Sequence, residues 1–180
     1  MTFVRLLVLI LPLTLLAGCS GMQPRDFEGT TPHLDLFEYF RGPTKAWGIF
    51  QDRAGTLKRQ FTVDIEGTVE GDLLTLVEDF VYADGEESQR IWRIKRLDEN
   101  RFEGRADDVV GVAEGIAYGQ ALNWRYTLQL PYKESTIDVK LNDWMFLQPD
   151  GVLVNRATVS KFGFRVGEVT LFFQKETGGG

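Results

Sequence analysis

Thiols and imidazoles are nearly absent from this sequence. Cys19 is the one cysteine and His33 the one histidine among 180 residues. No disulfide can form within the chain, so the fold must rest on its core alone. A Cys/His zinc site is excluded, and a Ser-His-Asp triad would have to run through His33. His33 sits in a polar N-terminal stretch and reads as a solvated residue. Basic excess is missing as well: 20 Lys and Arg stand against 26 Asp and Glu, a formal net charge of −6. That balance argues against nucleic acid and against a polybasic membrane-binding face. No glycine-rich loop joins a strand to a helix, so nucleotide chemistry has no support. No loop carries the ligand spacing of a Ca²⁺ or Mg²⁺ site, and no cofactor is implied. The longest apolar run, Leu6 to Leu16, falls short of the roughly 20 residues that span a bilayer.

That run has the layout of a secretory signal. Arg5 supplies the positive start, and the small residues Ala17 and Gly18 precede Cys19. Leu16-Ala17-Gly18-Cys19 resembles a bacterial lipobox, in which the cysteine thiol accepts a diacylglyceryl group and everything before it is removed. The other reading is an ordinary secretory signal with an incidental cysteine. One acyl chain anchors only weakly, whereas two or three on Cys19 anchor durably. Ser20 follows the cysteine where Asp would retain a Gram-negative lipoprotein at the inner membrane. The expectations are a removed signal peptide at 1–18 and a membrane partnership through lipidated Cys19. They include dealings with the lipoprotein-processing and sorting machinery and a place on the periplasmic face of the outer membrane.

Gly21 to Thr30 is polar and reads as a tether. Thr31-Pro32 opens a short helix signal that Gly42-Pro43 ends, with Leu34, Phe37 and Phe40 on one face. A helix this short and apolar must pack on something, and an end of the domain is the expected place. Residues 19–43 are therefore read as lipid-anchored linker and helix, 44–176 as the folded domain, and Gly178-Gly179-Gly180 as part of a disordered tail at 177–180. From Trp47 onward apolar residues recur at period two, punctuated by turn residues. Leu122, Trp124, Tyr126, Leu128 and Leu130 form the cleanest alternation. The pattern predicts roughly nine or ten antiparallel strands with short connections, an up-and-down sheet that closes into a barrel and so loses its edges. A β-sandwich is the alternative.

The alternation breaks at three acids. Glu78 is in phase with Leu76 and Phe80, Glu114 with Val112 and Ile116, and Asp143 with Leu141 and Met145. If those faces point inward, the carboxylates do too, and each needs a cation, a donor or a raised pKa. A three-residue Ala83-Asp84-Gly85 loop would set Glu78 opposite Arg90, whereas a two-residue loop would set it opposite Ile91. Asp107-Asp108 reads as a solvated turn. Two readings of the break stay open: a ligand pocket, or a buried polar network that fixes strand register. For the pocket, Trp92, Trp124, Tyr126 and Tyr118 would supply apolar walls, and Arg90 or Arg156 would hold an acidic head group.

Several motifs carry a family resemblance. They are Asp84-Gly85-Glu86 with Arg90 and Trp92, Asp108-Val109-Val110-Gly111, Trp124-Arg125-Tyr126, Asp143-Trp144-Met145, Asn155-Arg156-Ala157 and Lys161-Phe162-Gly163. On these the chain, from Trp47 to Lys175, resembles an uncharacterised family of Gram-negative lipoproteins, a domain of unknown function similar in outline to lipocalins. Gly48-Ile49-Phe50 occupies the place of the lipocalin Gly-x-Trp, with Phe for Trp. The resemblance implies a lipocalin-like or calycin-like barrel and a hydrophobic or amphipathic ligand, and it brings no activity.

The preferred expectation is a non-enzymatic, lipid-anchored barrel that binds a lipid-like small molecule. The second is a packed barrel with a structural or interaction role in the cell envelope. The third is an enzyme acting on lipids through Glu78, Glu114 or Asp143, which would need two of them at one substrate and one raised pKa.

Overall fold

Ten segments of extended backbone account for nearly all of the chain after Arg41. The computed structural model describes residues 21–176. Cys19, the signal segment 1–18 and the tail 177–180 lie outside the described residues. The strands are β1 (Gly42–Asp52), β2 (Leu57–Glu70), β3 (Leu73–Tyr82), β4 (Glu87–Arg96), β5 (Arg101–Arg105), β6 (Ala113–Tyr118), β7 (Ala121–Tyr132), β8 (Ser135–Leu147), β9 (Leu153–Lys161) and β10 (Phe164–Lys175). Each pairs antiparallel with the next, and β1 pairs with β10, so the sheet closes on itself. The all-β, up-and-down barrel expected from the alternation is therefore the fold, and the sandwich is not.

Closure follows from the pattern. Period-two strands with one apolar face and short turns bury that face most fully by curling around it. Val63, Leu74, Leu122 and Leu153 are almost wholly buried inside. Eight strands leave an interior just filled by side chains, and diameter grows with strand number, so ten leave room.

One end of the barrel is plugged. The helix α1 (Leu36–Phe40) lies across it, with Leu36, Phe37, Tyr39 and Phe40 buried. Its start is later than the Thr31-Pro32 signal suggested, because the effective cap is Asp35, whose Oδ1 accepts from the Phe37 and Glu38 amides. Arg96 at the end of β4 donates to the same carboxylate at 3.0 Å. The Tyr39 hydroxyl lies 3.0 Å from both the Gly151 and the Phe173 carbonyl oxygens, which share its one proton and tie the helix to the β8–β9 turn and to β10. Gly67 has no side chain where the Phe40 carbonyl presses against β2, and a methyl there would collide with it.

The stretch expected as a tether is not free within the described residues. Pro24–Phe27 forms a 3-10 turn on the outer wall. Phe27 packs against Trp144 and Phe146 with ring centroids 6.0 and 5.5 Å apart. Aromatic packing of this kind overrides the polar composition that suggested a solvated linker.

Candidate functional site

The barrel encloses a cavity of about 580 Å³. α1 forms its floor through Leu36 and Phe40, and Lys58, Arg59 and Tyr82 stand at the opposite rim. Most of the wall is aliphatic or aromatic. Trp92, Trp124 and Tyr126 make one panel: Trp92 meets Trp124 edge to face at 5.8 Å and Tyr126 at 5.4 Å. This panel needs space, which β5 and β6 provide by turning Gly104, Ala113, Gly115 and Ala117 inward. Gly115 faces Trp124 across the β6–β7 ladder, and a methyl on it would run into the indole.

Set into these walls is a polar group of Glu78, Arg90, Tyr126, Asp143 and Asn155. Glu78 and Arg90 are direct cross-strand partners, the register of the three-residue loop, with Gly85 at φ 87°. Arg90 Nη1 lies 4.0 Å from Glu78 Oε2. The other side of the guanidinium belongs to Asp108: Nη2 donates to Oδ2 at 2.7 Å, and Nε donates to both oxygens at 3.0 and 3.1 Å. Asp107 and Asp108 do lie in a turn, with Asp107 exposed, but Asp108 is half-buried and serves as the ion-pair partner of Arg90. The reason is the path of the β5–β6 connection. Because β6 is short and β7 long, residues 106–112 run along the free half of β7, with Val110 N–H donating to Thr127 O and Gln129 N–H donating to Asp108 O. That path brings Asp108 over Arg90. The sequence held one sign of it, an acid directly before the apolar pair Val109-Val110.

Asp143 is 6 % exposed, on β8. Its Oδ2 accepts from the Tyr126 hydroxyl at 3.4 Å, and its Oδ1 has no hydrogen-bond partner. Asn155, 1 % exposed on β9, likewise has an unpartnered Oδ1. Burial pushes Asp143 up to about 7, although Tyr126, Asn155 and Arg90 favour its charged form. Burial also raises Glu78 to about 7, against the pull of Arg90 and with help from Asp108. Burial works against the Arg90 cation, but Asp108 and Glu78 outweigh it and hold the proton more firmly than usual. Tyr126 is raised well above its ordinary value by burial and by the Asp143 charge.

Three of the residues singled out in the sequence lie elsewhere. Glu114 is on the outer face of β6, exposed; inward phase there belongs to Ala113 and Gly115, because Gly111 at φ 75° ends the preceding stretch and large side chains would displace Trp124. Tyr118 shares that outer face and accepts from Arg25 at 3.2 Å. Arg156 points outward from β9 and pairs with Glu168 at 2.8 Å. None of the three reaches the cavity. His33 is exposed.

The sequence matches, over residues 13–175, the model of a family described as "Protein of unknown function (DUF3833)". No curated protein matches it. Among solved structures the chain is similar to the S-type phycobiliprotein lyase CPES from Guillardia theta, with a TM-score of 0.59 at 10 % identity, covering 79 % of this chain and 92 % of that one. At that identity the likeness is one of fold, and the fold is lipocalin-like.

Proposed function

The chain belongs to the DUF3833 family, and from that premise we propose that it is a lipid-anchored binding protein whose barrel takes a lipid-like or amphipathic molecule. The observation that carries this is the cavity. A volume of about 580 Å³ lies within the roughly 300–1,000 Å³ of small-molecule sites, and apolar walls with a few convergent polar groups are their usual chemistry. A barrel of packed architecture would have filled this space, since protein interiors leave few voids larger than a water molecule. The ligand's apolar part lies against Trp92, Trp124 and the aliphatic wall, and its polar part meets the Glu78–Arg90–Tyr126–Asp143 group. The lipobox supports the rest of the proposal: cleavage after Gly18, acylation of Cys19, and residence on the periplasmic face of the outer membrane. Removal of residues 1–18 and a tail at 177–180 are part of the same proposal, with the barrel beginning at Gly42.

One observation favours a second reading. Glu78 and Asp143 share a cavity and both titrate near neutrality, which suits general acid–base chemistry. The wall offers no Ser, Cys or His as a nucleophile, so binding is the stronger reading. Native mass spectrometry of residues 20–180, exported without the acylated cysteine, tests both. A discrete bound mass in the lipid range is the expected result, and extraction would identify it. A bare polypeptide that takes up neither fatty acid nor phospholipid would refute the proposal. Added lipid returned in altered form would favour the enzyme.

A further inference from the structure

Resting on the cavity reading above, we infer that the polar end of the ligand is a hydrogen-bond donor, an amine in its ammonium form, seated against Asp143 and Asn155. The cations on the wall are already engaged by acids outside it. Lys58 pairs with Asp52 at 3.0 Å, Arg59 with Glu86 at 3.0 Å, and Arg90 is held through two nitrogens by Asp108. A guanidinium whose bidentate edge is filled has little to offer an acidic head group. The acids on the wall are in the opposite position. Glu78 has only the 4.0 Å contact with Arg90, and Asp143 forms no ion pair among the described residues.

The unpartnered atoms point the same way. The two buried polar atoms on the cavity wall that lack a hydrogen bond are Asp143 Oδ1 and Asn155 Oδ1, both acceptors. Buried acceptors without donors are costly, and a ligand that brings donors removes that cost. An ammonium carries three donors and a charge opposite to the carboxylate, so it satisfies both oxygens at once. The aromatic panel beside Asp143 also favours a cation over an anion. A carboxylate or phosphate in the same place would meet two acceptors and bring no donor to either.

The test compares matched twelve-carbon probes by calorimetry on residues 20–180, which contain the whole barrel and its helical plug: dodecylamine, dodecanol and dodecanoic acid. Dodecylamine should bind at least about tenfold more tightly than the alcohol, as expected for a charge-assisted hydrogen bond, and the acid most weakly. Asp143→Asn should bring amine and alcohol within about threefold of each other. The amine preference should also grow from pH 6 to pH 8 as Asp143 ionises. Glu78 from β3 titrates in the same range, Tyr126 and Arg90 keep their protons, Asp108 is paired with Arg90, and the Lys58 and Arg59 charges lie at the rim. This pH arm needs no variant and stands if Asp143→Asn fails to fold. Lysophosphatidylethanolamine, a primary amine on a phosphate head group, separates the sources: displacement of dodecylamine by it assigns an aminophospholipid, and no displacement assigns a simple long-chain amine. Acid binding as tight as amine binding overturns the inference and leaves the cavity reading standing. Binding of none of the three overturns the cavity reading itself.

Discussion

Replacing Asp143 with asparagine should stabilise the barrel most above neutral pH, less at pH 5, and hardly at all below pH ~4. Burial lifts the Asp143 carboxyl from 3.8 to about 7, whereas in the unfolded chain it titrates near ~4. Between those two values the folded chain holds a proton that the unfolded chain has released. Stability is therefore full below pH ~4, falls as pH rises through about 7, and levels off above it. At about 1.4 kcal/mol for each pH unit, the rise of Asp143 corresponds to about 4 kcal/mol lost across the window. Glu78, raised from 4.5 to about 7, loses about 3 kcal/mol by the same conversion. The two acids repel one another, so part of that cost is shared and the figures do not add in full. Asparagine has the same shape and never ionises, so it removes the Asp143 share only. Urea unfolding of wild type and variant at pH 5 and pH 8 measures this. The variant should exceed wild type by about 3–4 kcal/mol at pH 8 and by only about 1.5 kcal/mol at pH 5, where about one pH unit of the window has been crossed. An Asp143→Asn protein that loses as much stability as wild type between pH 5 and 8 would refute the reasoning. It would mean that the buried carboxylate is ionised at no cost.

Two further substitutions probe the parts that shape the cavity. Gly115→Ala puts a methyl into the Trp124 indole; it should destabilise by about 1–3 kcal/mol and alter the near-ultraviolet circular dichroism of the Trp92–Trp124 pair, and an unchanged spectrum would contradict the close approach. Asp35→Ala removes the cap of α1 and the Arg96 contact; a loss of about 1 kcal/mol with faster hydrogen exchange in the Phe37 and Glu38 amides is expected, and unchanged exchange would argue that packing alone holds the plug.

Much of this protein is readable without coordinates because strand identity is a local property. Alternation such as Leu122-x-Trp124-x-Tyr126 follows from the backbone period, and short turns leave consecutive strands nowhere to go but antiparallel neighbours. Loop length then set one register, and with it the Glu78–Arg90 pair. The inward placement of Trp92, Trp124, Tyr126 and Asp143 came from the same phase argument.

Where a residue depends on something far along the chain, local pattern failed. Glu114 lies in phase with Val112 and Ile116, yet the inward face of β6 is the one with Gly115, because Trp124 from the next strand needs that space. Asp108 is the turn residue it looks like, and only the path of the β5–β6 connection along β7 brings it to Arg90. Pro24–Phe27 has the composition of a tether until the outer aromatics of β8 receive it. The sequence by itself determined the strands, their order and most of their faces, since these follow from periodicity and turn chemistry. Only the tertiary structure decided that the barrel is hollow, which acids have cations and which do not, because packing and ion pairing are settled between residues that the chain brings together from a distance.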